Sequence, residues 1–208
     1  MNSKFKIKNQ NYILPFPMKI LLLITIFSMI SGCDLFTTRT AQPPNQPRSN
    51  YQQAVTPDIL IQNLVNSLSD KNVENYLTCF SNPSYTQKTF LFSPSSSSLS
   101  QFPALGDSWG IKNEEQYFNN MISLVPSSMQ ISLTISNPSM NPQGDSVFYS
   151  ASYFLNVPAS DQNFPQNYQG DLRFSMARDS RALWVIYFWQ DSKNSSLPSW
   201  SDLKGRTY

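Results

Sequence analysis

Apolar side chains recur at helical spacing in three stretches of the first half of the chain. Thr56-Pro57-Asp58 begins the first stretch with a hydroxyl cap, a proline and an acid, the usual signs of a helix N-terminus. A second, shorter helix ends before Asn82-Pro83, and Asn113 caps the third, with Gln116 three residues on as in a capping box. The predicted apolar faces are Leu60, Ile61, Leu64, Val65 and Leu68, then Val73, Tyr76, Leu77 and Phe80, then Tyr117, Phe118, Met121, Ile122 and Val125.

After Pro126 the apolar positions alternate with polar ones, which indicates β-strands. A turn is predicted over Asn137-Pro138 and Asn141-Pro142-Gln143-Gly144, and a long loop is predicted over 94–112. The last strand is apolar on both sides, so we expect both of its faces to be covered. The predicted strands are residues 88–93, 129–135, 147–157, 170–176 and 182–190.

Helices that precede an antiparallel meander predict an α+β domain over 56–208. The chain resembles the cone-shaped nuclear-transport-factor-2-like (NTF2-like, SnoaL-like) superfamily, and in particular bacterial lipoproteins that carry such a domain. The resemblance rests on FLFSP at 90–94, on Trp109, and on the segments 184–191 and 199–205. It implies three N-terminal helices packed on a strongly curved antiparallel sheet around a cavity. It implies no single activity, because this fold hosts enzymes, binders and scaffolds.

The N-terminus has a different pattern. Basic residues precede an apolar run of 11 residues, 20–30, which ends at Ile30-Ser31-Gly32-Cys33. This order is typical of a secretory signal, and the last four residues resemble the lipobox of bacterial lipoproteins. The resemblance implies a diacylglyceryl group on the Cys33 sulfur and cleavage after Gly32. Fatty acyl chains such as palmitate would then hold the protein on a membrane.

This interpretation divides the chain into three segments. Residues 1–32 are the signal peptide, residues 33–55 are the lipidated cysteine and a flexible linker rich in Pro, Gln and Asn, and residues 56–208 are the domain. The alternative is a membrane-spanning anchor. A spanning helix needs about 20 apolar residues, and the run at 20–30 is much shorter. Either Met1 or Met18 could be the start, since Met18 would begin a signal of ordinary length.

Removal of the signal changes the sign of the net charge. Residues 1–32 carry four lysines and no acid, so the remaining chain has 11 basic and 13 acidic residues and a net charge of −2. Because no basic patch remains, we expect no nucleic-acid partner. The expected location is the cell envelope, on the non-cytoplasmic side of a membrane.

The residue types present limit the possible chemistry. The chain has no histidine, which excludes imidazole base catalysis and histidine-ligated zinc. With Cys33 lipidated, Cys79 has no disulfide partner and lies in an apolar sequence typical of a core. Neither a metal nor a cofactor is predicted. Asp191 is the candidate general base if the domain is an enzyme, whereas Glu114 and Glu115 are interpreted as acids that favour a helix N-terminus.

Strand alternation separates two sets of apolar side chains. One set points into the cone, where it would either line a pocket for an amphipathic ligand or simply fill the core. The other set, Trp184, Ile186 and Phe188, is predicted on the outer sheet face. The C-terminal tail or a second subunit must cover it, and we favour a homodimer. The candidate pocket-lining residues are Tyr117, Tyr149, Tyr153, Phe174, Tyr187 and Trp189.

Three functions are compatible with these patterns. The first, and the one we favour, is a membrane-tethered domain that binds a small molecule, a peptide or an envelope protein without catalysis. The second is a cavity enzyme that uses Asp191, and the third is a purely structural envelope protein. An open cavity with a buried acid would favour the enzyme, an open cavity without one would favour binding, and a filled cone with an exposed apolar sheet face would favour assembly.

Overall fold

The computed structural model describes residues 50–208. The predicted signal, Cys33 and the linker up to residue 49 lie outside the described residues. Across the described part, none of the helices combines the length and apolar character that a membrane span requires. The helices are α1 (Pro57–Ser69), α2 (Val73–Thr78), α3 (Ser96–Gln101), α4 (Ile111–Ser123) and α5 (Trp200–Thr207). The strands are β1 (Leu91–Ser93), β2 (Ser132–Gln143), β3 (Ser146–Asn156), β4 (Asn167–Arg178) and β5 (Trp184–Ser192).

Local caps explain where the helices begin. The Thr56 hydroxyl accepts a hydrogen bond from the Ile59 N–H at 3.3 Å, and Asn72 caps α2 in the same way, so the first two predicted helices are confirmed. The third helix begins earlier than predicted, after Gly110. Asn113 lies inside it, and its side-chain oxygen accepts the Gly110 N–H at 3.0 Å.

The predicted loop at 94–112 contains two short helical segments. The Ser95 hydroxyl accepts the Ser98 N–H at 3.3 Å and begins α3, and a 3-10 turn follows at Pro103–Gly106. The sequence pattern missed α3 because four consecutive serines carry no apolar period.

The five strands form one sheet in the order β1-β5-β4-β3-β2. Strands β2 to β5 form the predicted antiparallel meander, but β1 pairs with β5 in parallel, so the sheet is mixed. Strand β2 is longer than predicted because Asn137-Pro138 is a bulge within the strand rather than a turn. The turn that ends β2 is at Gly144, whose φ of 58° favours glycine.

A bulge in β5 changes which of its residues face the core. Strand β4 pairs with Phe188 and then with Ile186, which leaves Tyr187 outside the ladder. One extra residue reverses the alternation of side chains. Trp184 and Ile186 therefore belong to the core and are only 7% and 0% exposed. Their predicted position on the outer face is wrong. Only Phe188 of that set stays on the outer face.

The C-terminal tail, predicted as one possible cover for the outer sheet face, forms α5 on the inner face instead. Ser199 and Asp202 cap it reciprocally, with the Ser199 N–H donating to the Asp202 carboxylate at 2.8 Å. The Trp200 ring lies 4.6 Å from Trp189 and 5.3 Å from Tyr153, between ring centroids. Helix α5 therefore occupies the space that the curved sheet encloses.

Candidate functional site

The interior of the cone is packed with aromatic side chains. Five of the six predicted pocket-lining residues are at most 3% exposed, and they pack on one another and on Trp200, whose indole N–H donates to the Tyr117 hydroxyl at 2.7 Å. Tyr187, the sixth, lies at the β5 bulge, where the Lys88 ammonium is 4.4 Å from its ring centroid. The five inner residues are Tyr117, Tyr149, Tyr153, Phe174 and Trp189.

Glu114 and Lys204 form an ion pair inside this aromatic core, and both side chains are 0% exposed. The Lys204 ammonium donates to both carboxylate oxygens of Glu114. The same carboxylate accepts the Tyr76 hydroxyl at 2.5 Å and the Trp109 indole N–H at 2.7 Å. Each oxygen thus has two donors, which is the condition under which a buried charge is tolerated.

Four aromatic rings surround the Lys204 ammonium. Cations are attracted to the faces of such rings, most strongly where water is absent. Burial, partly opposed by the Glu114 carboxylate, lowers the pKa of Lys204 to about 8. The distances from the ammonium to the ring centroids are 4.2 Å for Trp189, 4.4 Å for Phe92, 4.4 Å for Tyr117 and 5.3 Å for Trp109.

Sequence reasoning missed this pair. It assigned Glu114 to the helix dipole, an interpretation that fits only its exposed neighbour Glu115. One signal was available: Glu114 precedes Tyr117 and Met121 by three and seven residues, so it lies on the apolar face of α4. An acid on such a face needs a buried cation, but nothing in the sequence pointed to Lys204.

Asp191, the candidate general base, is 1% exposed. It accepts the Tyr153 hydroxyl at 2.8 Å, the Ser201 N–H at 2.8 Å and the Ser201 hydroxyl at 2.5 Å. Burial raises the pKa of Asp191, and the hydrogen bonds from Ser201 and Tyr153 oppose that rise. Because Ser201 belongs to the first turn of α5, this carboxylate anchors the helix within the cone.

Neither the free thiol of Cys79 nor a metal-binding cluster offers a reactive site in the described part of the chain. Cys79 is buried, and desolvation raises the pKa of its thiol, which suppresses the reactive thiolate. Residues 50–208 contain no cluster of three or more acidic, histidine or cysteine side chains arranged to hold a metal ion.

The outer face of the sheet carries an open groove of about 480 Å³. Its only charged lining residue is Arg173, which is exposed and has no acid within ion-pair distance among residues 50–208. Phe148 is 49% exposed beside it. Strand pairing arranges the lining side chains in two rows, Ser139, Ser150, Arg173 and Gln190, then Asn141, Phe148, Ser175 and Phe188.

Comparison with known proteins supports the fold. No protein-family model and no curated protein matches the chain. A protein of the NTF2-like family from Streptomyces avermitilis, provisionally named a dehydratase, matches with a TM-score of 0.51 and 7% identity, over 67% of this chain and 94% of that chain. A protein from Novosphingobium aromaticivorans, provisionally named scytalone dehydratase, matches with a TM-score of 0.51 and 7% identity, over 68% and 88% of the two chains. At such identities the likeness establishes the fold and carries no activity across.

Proposed function

We propose that this chain, whose fold is that of the NTF2-like proteins, is a lipid-anchored binding module of the cell envelope and not a cavity enzyme. The observation that carries the proposal is the open groove on the outer face of the sheet. The cone itself is filled, because α5 places Trp200 and Lys204 inside the sheet at 0% exposure, and this argues against a cavity enzyme. Asp191 lies in the same interior and holds α5. The residue is 1% exposed, and its two carboxylate oxygens are occupied by hydrogen bonds from Tyr153 and Ser201, so the carboxylate is committed to holding the helix.

The anchor rests on the sequence. The apolar run at 20–30 and the Ile30–Cys33 motif support export and lipidation of Cys33.

The predicted linker extends too far, because Gln52 bonds to Asn63 and the Ala54 carbonyl accepts the Trp184 N–H, which attaches residues 52–54 to the domain. A flexible linker of the length of 33–49 has a root-mean-square end-to-end distance of roughly 20–25 Å. The domain could therefore reach partners in the envelope while it stays attached to the membrane.

We place the binding surface in the outer groove. The groove combines the Arg173 guanidinium with hydroxyl and amide side chains and with the rings of Phe148 and Phe188. An extended peptide segment of another envelope protein fits this chemistry. A carboxylate would pair with Arg173, peptide groups would bond to Asn141 and Gln190, and apolar side chains would contact the rings.

A second copy of this chain is the other candidate partner, and Asp171 favours it. Asp171 lies on the same sheet face, two residues from Arg173, and accepts hydrogen bonds from Ser152 and Asn194 at 2.7 and 2.8 Å. In a twofold interface, Arg173 of each copy could meet Asp171 of the other. Of the residues first proposed for a homodimer, only Phe188 remains on this surface.

Photo-crosslinking in cells tests the groove. A benzoylphenylalanine at Ser150 in the full-length protein should form an adduct with one envelope protein, and Arg173→Glu should abolish that adduct. A photo-crosslinker at Glu115, which is exposed on α4, is the positional control, and Lys112→Glu on the same helix is the control for charge reversal. An adduct of two copies would identify the homodimer. Equal yields at both positions would reject the groove as the binding surface.

A further inference from the structure

A second cleft, of about 420 Å³, shares no lining residue with the outer groove. It lies between α2, the turn after α2, the start of α4 and the turn between β4 and β5. Its volume is in the range of small-molecule pockets. The lining residues that matter here are Glu74, Leu77, Phe80, Ser81, Ile111 and Arg181.

Ser81 lines this cleft and carries a buried hydroxyl. Ser81 is 1% exposed, and among residues 50–208 its hydroxyl has no hydrogen-bond partner. Its backbone is held in place, because the Ser81 N–H donates to the Ile186 carbonyl at 2.9 Å. A buried hydroxyl without a partner is destabilising, and a ligand oxygen in the cleft would remove that penalty.

Arg181 presents a fixed cation to the same cleft. Its Nε and one terminal nitrogen donate to the same Asp179 carboxylate oxygen at 2.9 and 2.7 Å, and its guanidinium lies 3.7 Å from the centroid of the Tyr85 ring. These contacts fix the plane of the guanidinium. They also leave its other terminal nitrogen able to donate to a ligand carboxylate.

Glu74 supplies the opposite charge. It is exposed on α2 and, within the described part of the chain, lies beyond ion-pair distance of Arg181 and every other cation. The cleft thus presents the guanidinium of Arg181, one face of which is already paired with Asp179, and the carboxylate of Glu74, and these two groups are not paired with each other. Leu77, Phe80 and Ile111 add an apolar wall.

We propose that this cleft binds a free α-amino acid with a large apolar side chain. The ligand carboxylate accepts from the Ser81 hydroxyl and from Arg181, and its ammonium group pairs with Glu74. Its side chain packs on Leu77, Phe80 and Ile111. This site is independent of the outer groove, so either can fail without the other.

Isothermal titration calorimetry of the full-length protein in detergent, with L-leucine and L-phenylalanine as probes, tests the proposal. We expect saturable binding at one site. N-acetyl-L-phenylalanine and L-phenylalanine amide should each bind about tenfold more weakly, because each lacks one charge. The absence of saturable binding of both amino acids at millimolar concentration would overturn the proposal.

Ser81→Ala separates a ligand-binding role from a structural one. It should weaken binding about tenfold, the loss expected for a hydrogen bond to a charged group, and it should raise the melting temperature of the ligand-free protein. Ser67→Ala is the matched control, because the Ser67 hydroxyl is also buried but donates to the Leu64 carbonyl at 2.8 Å. The control should leave affinity unchanged. An unchanged affinity in Ser81→Ala would overturn the proposal.

Discussion

Among the charged residues of the described part of the chain, Glu114 and Lys204 have the largest expected effect on stability. Both are fully buried, and they are 90 positions apart in the chain. A buried pair with complete hydrogen bonding is tolerated, but removal of one partner leaves an uncompensated charge in the core. The pair therefore ties α5 to α4 more strongly than an exposed pair could.

Lys204→Met should lower the free energy of unfolding by about 3–5 kcal/mol, because Glu114 then stays buried without its cation. The double variant Lys204→Met/Glu114→Gln should recover part of that loss. Urea unfolding measures both. Lys193→Met is the control, since the Lys193 side chain, 3.3 Å from Asp202, is 33% exposed. Water reaches this pair, so its loss should cost only about 1 kcal/mol. If the double variant is no more stable than Lys204→Met, the unpaired Glu114 carboxylate is not the cause of the lost stability.

Asp191 has a structural role that an amide can largely replace. Asp191→Asn keeps an oxygen that can accept from Tyr153 and Ser201, so the cross-link from Ser150 should be unchanged. Asp191→Ala removes the anchor of α5 and should cost about 1–3 kcal/mol of unfolding free energy. Loss of function in a folded Asp191→Asn protein would instead support the enzyme interpretation.

Among the elements, α5 decides whether the cone is open or filled. It is held at its start by Asp191 and Ser199, and at its middle by Lys204. Gly205 packs so closely on Phe102 that a Cβ there would overlap the ring. Without this helix, the inner aromatics would line the cavity that the family resemblance implies.

Trp200→Ala tests the filling of the cone. The truncation should lower the free energy of unfolding by about 3–5 kcal/mol, because it leaves a large cavity in the core, and it should create a binding site for a fluorescent apolar dye. Urea unfolding and dye titration provide the measurements. Phe154→Ala, at a ring that is 40% exposed, should change stability by less than about 0.5 kcal/mol. Equal effects of the two substitutions would contradict the packing described here.

At the scale of the whole molecule, the buried tyrosines set the response to alkaline pH. Burial is the main cause that raises the pKa of Tyr76, Tyr117 and Tyr153 well above the ordinary value of 10.0. Above pH 10 the unfolded chain loses these phenolic protons while the folded chain keeps them. The unfolded state then binds fewer protons, so stability falls as pH rises.

We therefore expect the free energy of unfolding to fall steeply above pH 10, and less steeply in Tyr153→Phe. Tyr85→Phe, at an exposed ring, is the control and should keep the full slope. Lys204 has the opposite effect on stability between pH 8 and pH 10.5, because its pKa is lowered from 10.5 to about 8 in the folded chain. In that range the unfolded chain binds more protons at this residue, so its contribution to stability rises with pH. Urea unfolding at several pH values gives the slopes. If Tyr153→Phe has the same slope as the unsubstituted protein, the Tyr153 phenol does not contribute to the loss of stability above pH 10.

The proposed lipid anchor also belongs to the scale of the whole molecule. Cys33→Ala removes the sulfur that the lipobox resemblance identifies as the acylation site, so it should abolish the incorporation of labelled fatty acid and leave an unprocessed precursor. Ser31→Ala, which keeps a small residue, is the matched control and should be processed normally. Undiminished labelling of the Cys33→Ala protein would refute lipidation at this position.

Local signals in the sequence determined the local elements. Thr56-Pro57-Asp58 and the apolar spacing after it predicted α1 correctly, and alternation predicted β2 to β5 and the α+β class, because caps and periodicity act within a few residues. Alternation also identified Tyr149, Tyr153, Phe174 and Trp189 as inner aromatics. It placed Tyr187 among them as well, although that residue lies at the β5 bulge.

Only the tertiary structure decided the rest. The β5 bulge at Tyr187 lies between Ile186, which pairs with Met176 and Phe80, and Phe188, which pairs with Ser175 and Leu91. Because these partners are distant in sequence, simple alternation assigned Trp184 and Ile186 to the wrong face. Helix α5 has only a weak apolar period, and its position depends on Glu114 and other partners far away in the sequence. Whether the cone holds a cavity or a core was therefore settled by contacts between distant segments, because a buried charge and a large ring are stable only where their partners meet them.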